Sequence, residues 1–207
     1  NFAFSDEFVK DLYLANIKAG VDYMEFGYKA STEIFNPAQF GKWKFCKEQD
    51  IRSIVGDNKT DTKISVMADV GRTDFKKDIL NKKDSVIDLI RVATYINTIP
   101  AAIEMLEDAK KKGYETTVNI MAVSKVNDDD LDGGLELLGQ SSVDTIYLVD
   151  SFGAFYPEQV ERLCDKYLNM AAKYNKKVGI HAHNNQQLAF ANTIEALTMG
   201  ASYLDAT

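Results

Sequence analysis

The sequence predicts an α/β fold built around a parallel sheet. Short runs rich in Val, Ile and Tyr recur along the 207 residues, and stretches with helical spacing separate most of them. Strands that alternate with helices form right-handed βαβ units, whose neighbouring strands are parallel. No Gly-rich phosphate loop follows any strand, which disfavours an open doubly wound nucleotide-binding sheet but leaves it as an alternative.

The first part of the chain supplies one helix and two strands. The stretch "SDEFVKDLYLANIKAG" has helical spacing, with Ser5 as the candidate N-cap and Gly20 as the candidate stop. "VDYMEFGY" predicts a strand at 21–28, and "KISVMADVG" predicts one at 63–71. Between them, residues 29–60 form a longer excursion in which one helix is expected.

The middle of the chain continues the alternation. "VIDLIRVATY" predicts a strand at 86–95, and "IPAAIEMLEDAKKKG" predicts a helix that stops at Gly113. A strand at 114–125, a helix near 130–140 and a strand at 143–153 follow.

The last part completes seven predicted strands. Pro157 lies where the first turn of a helix tolerates proline. "KVGIHAHNN" predicts a strand at 177–185, "QLAFANTIEALTMG" a helix, and "ASYLDAT" a strand at 201–207. The chain opens on a helix and stops on a strand, so an eight-stranded (β/α)8 barrel would lack its first strand and its last helix. We expect residues 1–207 to form one incomplete β/α-barrel catalytic domain.

The composition excludes some classes of partner. The chain is 45% hydrophobic with a net charge of −7, and its lysine clusters are surrounded by acidic residues, which argues against a nucleic-acid partner. No apolar run reaches the roughly 20 residues of a membrane helix. Cys46 and Cys164 lack paired spacing and fit buried thiols in the reducing cytoplasm.

The two histidines of the chain, His181 and His183, are one residue apart in a predicted strand. Side chains alternate along a strand, so both imidazoles point the same way, at the carboxyl end where β/α barrels carry their active sites. Two neutral imidazoles there can bind one divalent metal ion. In the alternative interpretation, one histidine fills the barrel and the other caps a loop.

Four carboxylates near strand ends are candidates for a third metal ligand: Glu25, Asp69, Asp150 and Asp205. Taken singly, each is better explained as the cap of a following helix.

Three further polar residues are candidates for substrate binding. Ser151 follows a strand end, where it either holds a substrate carboxylate or caps an ordinary turn, and its spacing does not decide between them. Arg91 lies within an apolar strand, which favours a buried ion pair over an anion site. Asn119 is a polar residue in a core strand and has a bond to a neighbouring backbone group as its alternative role.

The chain resembles the HMG-CoA-lyase-like metal-dependent aldolases and lyases, also called DRE-TIM metallolyases. The resemblance is closest to the 4-hydroxy-2-oxovalerate aldolase branch. Its specific part is "GIHAHNNQQLAFANTIEALTMGASYLDAT", which is similar to that branch's His-x-His-Asn-Asn strand, the helix after it and the Asp-Ala of its eighth strand. "RVATY", "GYETTVNIMAVSK" and "YLVDSFGAFYP" match further strands in the right order.

The resemblance implies a TIM barrel that binds one divalent ion through His181 and His183, with manganese expected first and magnesium, zinc or cobalt as alternatives. It implies that Ser151 helps to hold the carboxylate of a pyruvate-like unit. The expected reaction cleaves a 4-hydroxy-2-oxo acid to pyruvate and an aldehyde. Expected partners are a small 2-oxo acid, a second copy of the chain or an aldehyde dehydrogenase, with no membrane.

The sequence departs from the family at one motif. The family's first strand carries an Asp-x-Thr-Leu-Arg-Asp-Gly type motif, which supplies an arginine for the enolate and an acid for the metal, and residues 1–207 lack it. We therefore expect the sequence to be a fragment that binds metal weakly and catalyses poorly, and no general base can be assigned. The alternatives are an acetyl-CoA-dependent condensing enzyme of the isopropylmalate or homocitrate synthase type, a pyruvate-accepting carboxyltransferase, and a non-catalytic binding module.

Overall fold

A computed structural model describes residues 1–206 of the chain. The helices are α1 (Asp6–Ala19), α2 (Glu48–Val55), α3 (Phe75–Asp78), α4 (Ile99–Lys111), α5 (Asp128–Gln140), α6 (Pro157–Tyr174) and α7 (Ala189–Met199). The strands are β1 (Tyr23–Tyr28), β2 (Lys63–Asp69), β3 (Leu89–Thr94), β4 (Glu115–Ile120), β5 (Thr145–Asp150), β6 (Lys177–Ala182) and β7 (Tyr203–Leu204).

The strands are hydrogen-bonded in the order in which they occur along the chain. A doubly wound sheet reverses its strand order at a switch point, whereas a singly wound β/α barrel adds each strand beside the one before it. The observed order is the second kind, and the strand pairs whose registers are known are parallel. The predicted fold class, α/β of the TIM-barrel type, is therefore confirmed.

The helix boundaries follow the predicted caps. The side chain of Ser5 accepts a hydrogen bond from the backbone N–H of Phe8 at the start of α1, and Gly20 ends that helix in a left-handed conformation at φ 73°. Pro157 is the first residue of α6. A backbone N–H at this position would have no acceptor within the helix, so proline loses no hydrogen bond there.

The predicted strands were generally too long, and two of them are much shorter than predicted. The strand predicted at 114–125 ends at Ile120, because Ala122 takes a left-handed φ of 56° and residues 123–125 form a 3₁₀ turn. The strand predicted at 201–207 is reduced to Tyr203–Leu204, and Thr207 lies outside the described residues. The short helix α3 was not predicted.

The chain divides into two compact units, residues 1–92 with 108–116, and residues 93–107 with 117–207. In the first unit, β1 pairs with β2, and the core includes Trp43, Ile51 and Ile64. The expectation of a single domain over residues 1–207 stays a prediction.

The second unit carries β5 between β4 and β6, with β7 beside β6. Its buried residues include Leu131 on α5 and Tyr167 on α6, so the helices cover the sheet with apolar side chains. No helix in the described part of the chain is long and apolar enough to cross a membrane.

Candidate metal centre at the end of the sixth strand

The two histidine rings lie side by side at the carboxyl end of β6. His181 is paired in register with Val149 of the neighbouring β5, and His183 follows directly after the strand. Their ring centroids are 4.9 Å apart, and the ring planes meet at 76°. The prediction that both imidazoles point the same way is confirmed, as expected for residues two apart on a strand.

The backbone of β5 fixes the ring of His183. Nδ1 of His183 lies 2.9 Å from the carbonyl oxygen of Asp150, and the backbone N–H of His183 donates to the same oxygen at 3.3 Å. A carbonyl oxygen can only accept, so Nδ1 carries the hydrogen in a neutral ring. The lone pair of His183 is therefore on Nε2.

A carboxylate plays the corresponding role for His181. Nδ1 of His181 lies 2.7 Å from Oδ2 of Asp205, and both side chains are largely buried, 26% and 17% exposed. An ionised carboxylate also only accepts, which places the hydrogen on Nδ1 and the lone pair on Nε2. Both rings thus present the same nitrogen as a candidate ligand.

The arrangement fits two ligands of a divalent metal ion. Metal-bound histidines commonly donate their second ring nitrogen to a carboxylate or a backbone carbonyl, as both rings do here. Neither Nε2 atom makes a hydrogen bond with residues 1–206. Among those same residues, however, no three His, Cys, Asp or Glu side chains are grouped to hold a metal. The described residues therefore supply two ligands, and the remaining positions would fall to water, substrate or other residues.

The four carboxylates proposed as third ligands have other contacts. Asp150 does not cap the following helix, whose N-cap is Tyr156. Its two carboxylate oxygens instead accept the backbone N–H groups of Ala154 and Phe155 in the preceding loop, each at 3.0 Å. The capping role is not what the structure shows for Asp205, which contacts His181, or for Asp69, which faces the guanidinium of Arg72 at 3.6 Å.

Glu25, the fourth candidate, lies in the first half of β1 rather than at its carboxyl end. Its carboxylate is 3.2 Å from the guanidinium of Arg91, whose side chain is only 9% exposed. The buried ion pair predicted for Arg91 is therefore present. Burial, together with the charges of Asp69 and Glu25, raises the pKa of Tyr28 in the same unit.

The loop between Asp150 and Tyr156 is held against the residues that follow His183. Gly153 has a φ of 58°, and a Cβ at this position would lie 2.5 Å from the backbone nitrogen of Asn185 and 2.7 Å from the carbonyl oxygen of His183. Asn192 of α7 donates from Nδ2 to the carbonyl of Phe155 at 2.8 Å. The glycine after Asp-Ser-Phe indicates a turn in the sequence, but neither the close packing of Gly153 nor the hydrogen bond from Asn192 was predicted.

Ser151 and Asn119 lie in the same unit as the histidines. The Oγ atom of Ser151 accepts a hydrogen bond from the backbone N–H of Ala122 at 2.8 Å, which leaves its hydroxyl hydrogen available to another acceptor. Oδ1 of Asn119 is buried and has no hydrogen-bond partner among residues 1–206. The backbone bond suggested for Asn119 is therefore not observed, and its role in substrate binding stays a prediction.

The sequence of the chain is similar to those of known enzymes. The sequence model of the HMGL-like family matches residues 2–207. A 4-hydroxy-2-oxovalerate aldolase of Geobacillus genomosp. 3 is 30% identical over 132 residues, 64% of this chain and 38% of the relative. An oxaloacetate decarboxylase of Mycobacterium tuberculosis is 26% identical over 211 residues, 100% of this chain and 59% of the relative.

Among solved structures, the N-terminal domain of a putative aldolase from Bacteroides vulgatus superposes with a TM-score of 0.84 at 27% identity. The superposition covers 99% of this chain and 67% of that one. The chain thus spans about half the length of the curated relatives that it matches.

Proposed function

The chain belongs to the HMGL-like family, and from that membership we propose that the protein is a metal-dependent carbon–carbon lyase of the aldolase type. The substrate proposed is a short 4-hydroxy-2-oxo acid, which the reaction cleaves between C3 and C4 to pyruvate and an aldehyde. The similarity to 4-hydroxy-2-oxovalerate aldolases supports this choice within the family.

The proposal depends mainly on the matched orientation of the two histidine rings. Two imidazoles with ring centroids 4.9 Å apart both have Nδ1 engaged by an oxygen acceptor, so both offer Nε2 as a ligand. A pair of histidines that served only packing would have no need for this matched orientation. His181 and His183 are therefore proposed to hold one divalent ion, with Mn²⁺ first and Mg²⁺, Zn²⁺ or Co²⁺ as alternatives.

A divalent ion bound there would act as a Lewis acid that polarises the 2-oxo group and stabilises enolate charge. The chain's own residues bind and orient the substrate. The hydroxyl of Ser151 still has its hydrogen to donate, which suits the carboxylate of the pyruvate unit. The buried amide of Asn119 is a second candidate for contact with the substrate, because its Oδ1 has no hydrogen-bond partner among residues 1–206 and could accept from a substrate hydroxyl. Arg91 already has Glu25 as an ionic partner, so we assign it a structural role first.

Neither histidine serves as the general base in this proposal, because both Nε2 lone pairs are directed to the metal. The proton of the 4-hydroxyl group must pass to another group, which we do not assign to any residue of the described chain. The cellular setting proposed is the cytoplasm, and an aldehyde dehydrogenase is the proposed partner, since it would consume the aldehyde product.

A second candidate function is decarboxylation of oxaloacetate. The relative with that name matches along the whole of this chain, whereas the aldolase match covers 64% of it. Both reactions break a bond to the carbon next to the 2-oxo group and produce pyruvate, so the same pair of histidines would serve either. The bound leaving group, an aldehyde or carbon dioxide, distinguishes them.

The test uses the full-length protein, stripped with a chelator and reloaded with Mn²⁺. Pyruvate release is followed from 4-hydroxy-2-oxovalerate and from oxaloacetate, and thiol release is followed from acetyl-CoA with a 2-oxo acid. We expect pyruvate from the 4-hydroxy acid, lost in His181→Ala and retained in Asp165→Ala, which removes an exposed charge on α6. Faster turnover of oxaloacetate would favour the decarboxylase, thiol release the condensing enzyme, and the absence of all three activities a binding module.

A further inference from the structure

The partner of His181 has a chemical role that goes beyond filling space. We propose that Asp205 is a positioning residue, which fixes His181 as the Nδ1–H tautomer and thereby keeps Nε2 available as a metal ligand. This inference rests on the proposed metal site. It assigns a function to the residue that directly follows β7, a strand of two residues.

The geometry that supports the proposal comes from strand pairing. Gly179 and Ile180 of β6 are in register with Tyr203 and Leu204 of β7, so the next residue of each strand places Asp205 beside His181. The backbone N–H of Asp205 donates to the carbonyl of Ile180 at 3.1 Å, which continues the ladder beyond the strand. The carboxylate then reaches Nδ1 at 2.7 Å without a long flexible side chain.

The two rings are held in chemically different ways. His183 donates to a backbone carbonyl, which no substitution removes, whereas His181 depends on a side chain. The other nearby carboxylate cannot replace Asp205, because both oxygens of Asp150 are engaged by the N–H groups of Ala154 and Phe155. Loss of Asp205 should therefore allow His181 to adopt either tautomer, while the tautomer of His183 should stay unchanged.

The carboxylate of Asp205 also affects the opposite nitrogen of the His181 ring, Nε2. A negative partner at Nδ1 increases the electron density available at Nε2, and loss of such partners typically weakens metal binding by about 10- to 100-fold. A residue with a purely structural role would change folding stability without changing the tautomer. The tautomer of the metal-free protein is thus the readout that separates the two roles.

The experiment compares wild type, Asp205→Ala and Asp205→Asn in the full-length protein. Imidazole ¹⁵N chemical shifts of the chelator-stripped protein, recorded near pH 8.5 where ordinary histidines are neutral, report the tautomer of each ring. Mn²⁺ titration by calorimetry reports the dissociation constant. Asp165→Ala is the matched control, since it removes an exposed carboxylate on α6.

We expect His181 to be the Nδ1–H tautomer in wild type and in Asp165→Ala. In Asp205→Ala we expect a mixture at His181, an unchanged His183, and Mn²⁺ affinity lowered by about 10- to 100-fold. Asp205→Asn preserves the shape and tests the effect if the alanine variant does not fold. It should weaken Mn²⁺ binding as well, because the amide lacks the charge and can also donate to Nδ1.

The two proposals fail in different ways. If wild type binds no Mn²⁺, Zn²⁺ or Co²⁺ while the His181 tautomer still depends on Asp205, the proposed metal site is wrong although Asp205 does fix the tautomer. If wild type binds Mn²⁺ and the Asp205 variants keep both the tautomer and the affinity, the positioning role is overturned while the proposed function stands.

Discussion

Substitution of Gly153 by alanine tests how closely the loop after β5 packs against the backbone of His183 and the residues that follow it. The glycine has a φ of 58°, a region that costs an L-residue about 1–2 kcal/mol. The added Cβ would also lie 2.5 Å from the nitrogen of Asn185 and 2.7 Å from the carbonyl oxygen of His183. Ordinary contacts begin at 3.4 Å, so the backbone after His183 must retreat by about 0.9 Å (3.4 minus 2.5).

Overpacking of this kind typically costs about 1–3 kcal/mol. Gly20→Ala is the matched control, because Gly20 has a φ of 73° and no atom within 4 Å of its added Cβ. The backbone strain and the loss of unfolded-state entropy are similar in the two variants. The difference in free energy of unfolding should therefore report the clash alone, about 1–3 kcal/mol.

The assay is urea unfolding of wild type and both variants, followed by Mn²⁺ titration. Gly153→Ala should also weaken Mn²⁺ binding, because displacement of His183 lengthens the bond from its Nδ1 to the carbonyl of Asp150, now 2.9 Å. Gly20→Ala should bind Mn²⁺ as wild type does. Equal losses of stability in the two variants would refute the close packing on which the argument depends.

Three further predictions concern the hydrogen bonds of Asp150 and the thiols of the two cysteines. Asp150→Ala removes two charge-assisted hydrogen bonds to Ala154 and Phe155, each worth about 1.5–3 kcal/mol, so urea unfolding should show a loss of about 3 kcal/mol or more, with a smaller loss for Asp150→Asn. Burial raises the pKa of the Cys46 and Cys164 thiols to about 12. Both should therefore resist alkylation at pH 8 in the native protein and react once it is unfolded; fast labelling of the native protein would contradict this. Because the folded pKa of each thiol exceeds the unfolded value, their contribution to stability should be complete below about pH 9 and decline as the pH rises towards 12, measured by urea unfolding at several pH values.

The sequence predicted the fold well where periodicity carries the information. All seven strands occur where runs of β-branched and aromatic residues predicted them, because burial on a sheet requires that pattern. Strand ends were less predictable. Ala122 in a left-handed conformation ends the run after β4, although alanine has no preference for that region and the following Val123 favours a strand.

The candidate site was predictable in part for a similar reason. Two histidines one residue apart on a strand must share a face, and this needs no tertiary information. Their partners do. Asp205 is 24 positions away from His181 and reaches it only through the register of β6 with β7. The partner of His183 is a backbone carbonyl, which has no signature in a sequence.

The central claim is that His181 and His183 bind one divalent ion together. The most direct measurement is pulsed electron paramagnetic resonance of Mn²⁺ bound to the full-length protein, with the metal content determined on the same sample. One ion per chain is predicted, with ¹⁴N modulation from two imidazoles that falls to one in His183→Ala together with a large loss of affinity. Bound Mn²⁺ without imidazole modulation, or an unchanged signal in His183→Ala, would contradict the claim.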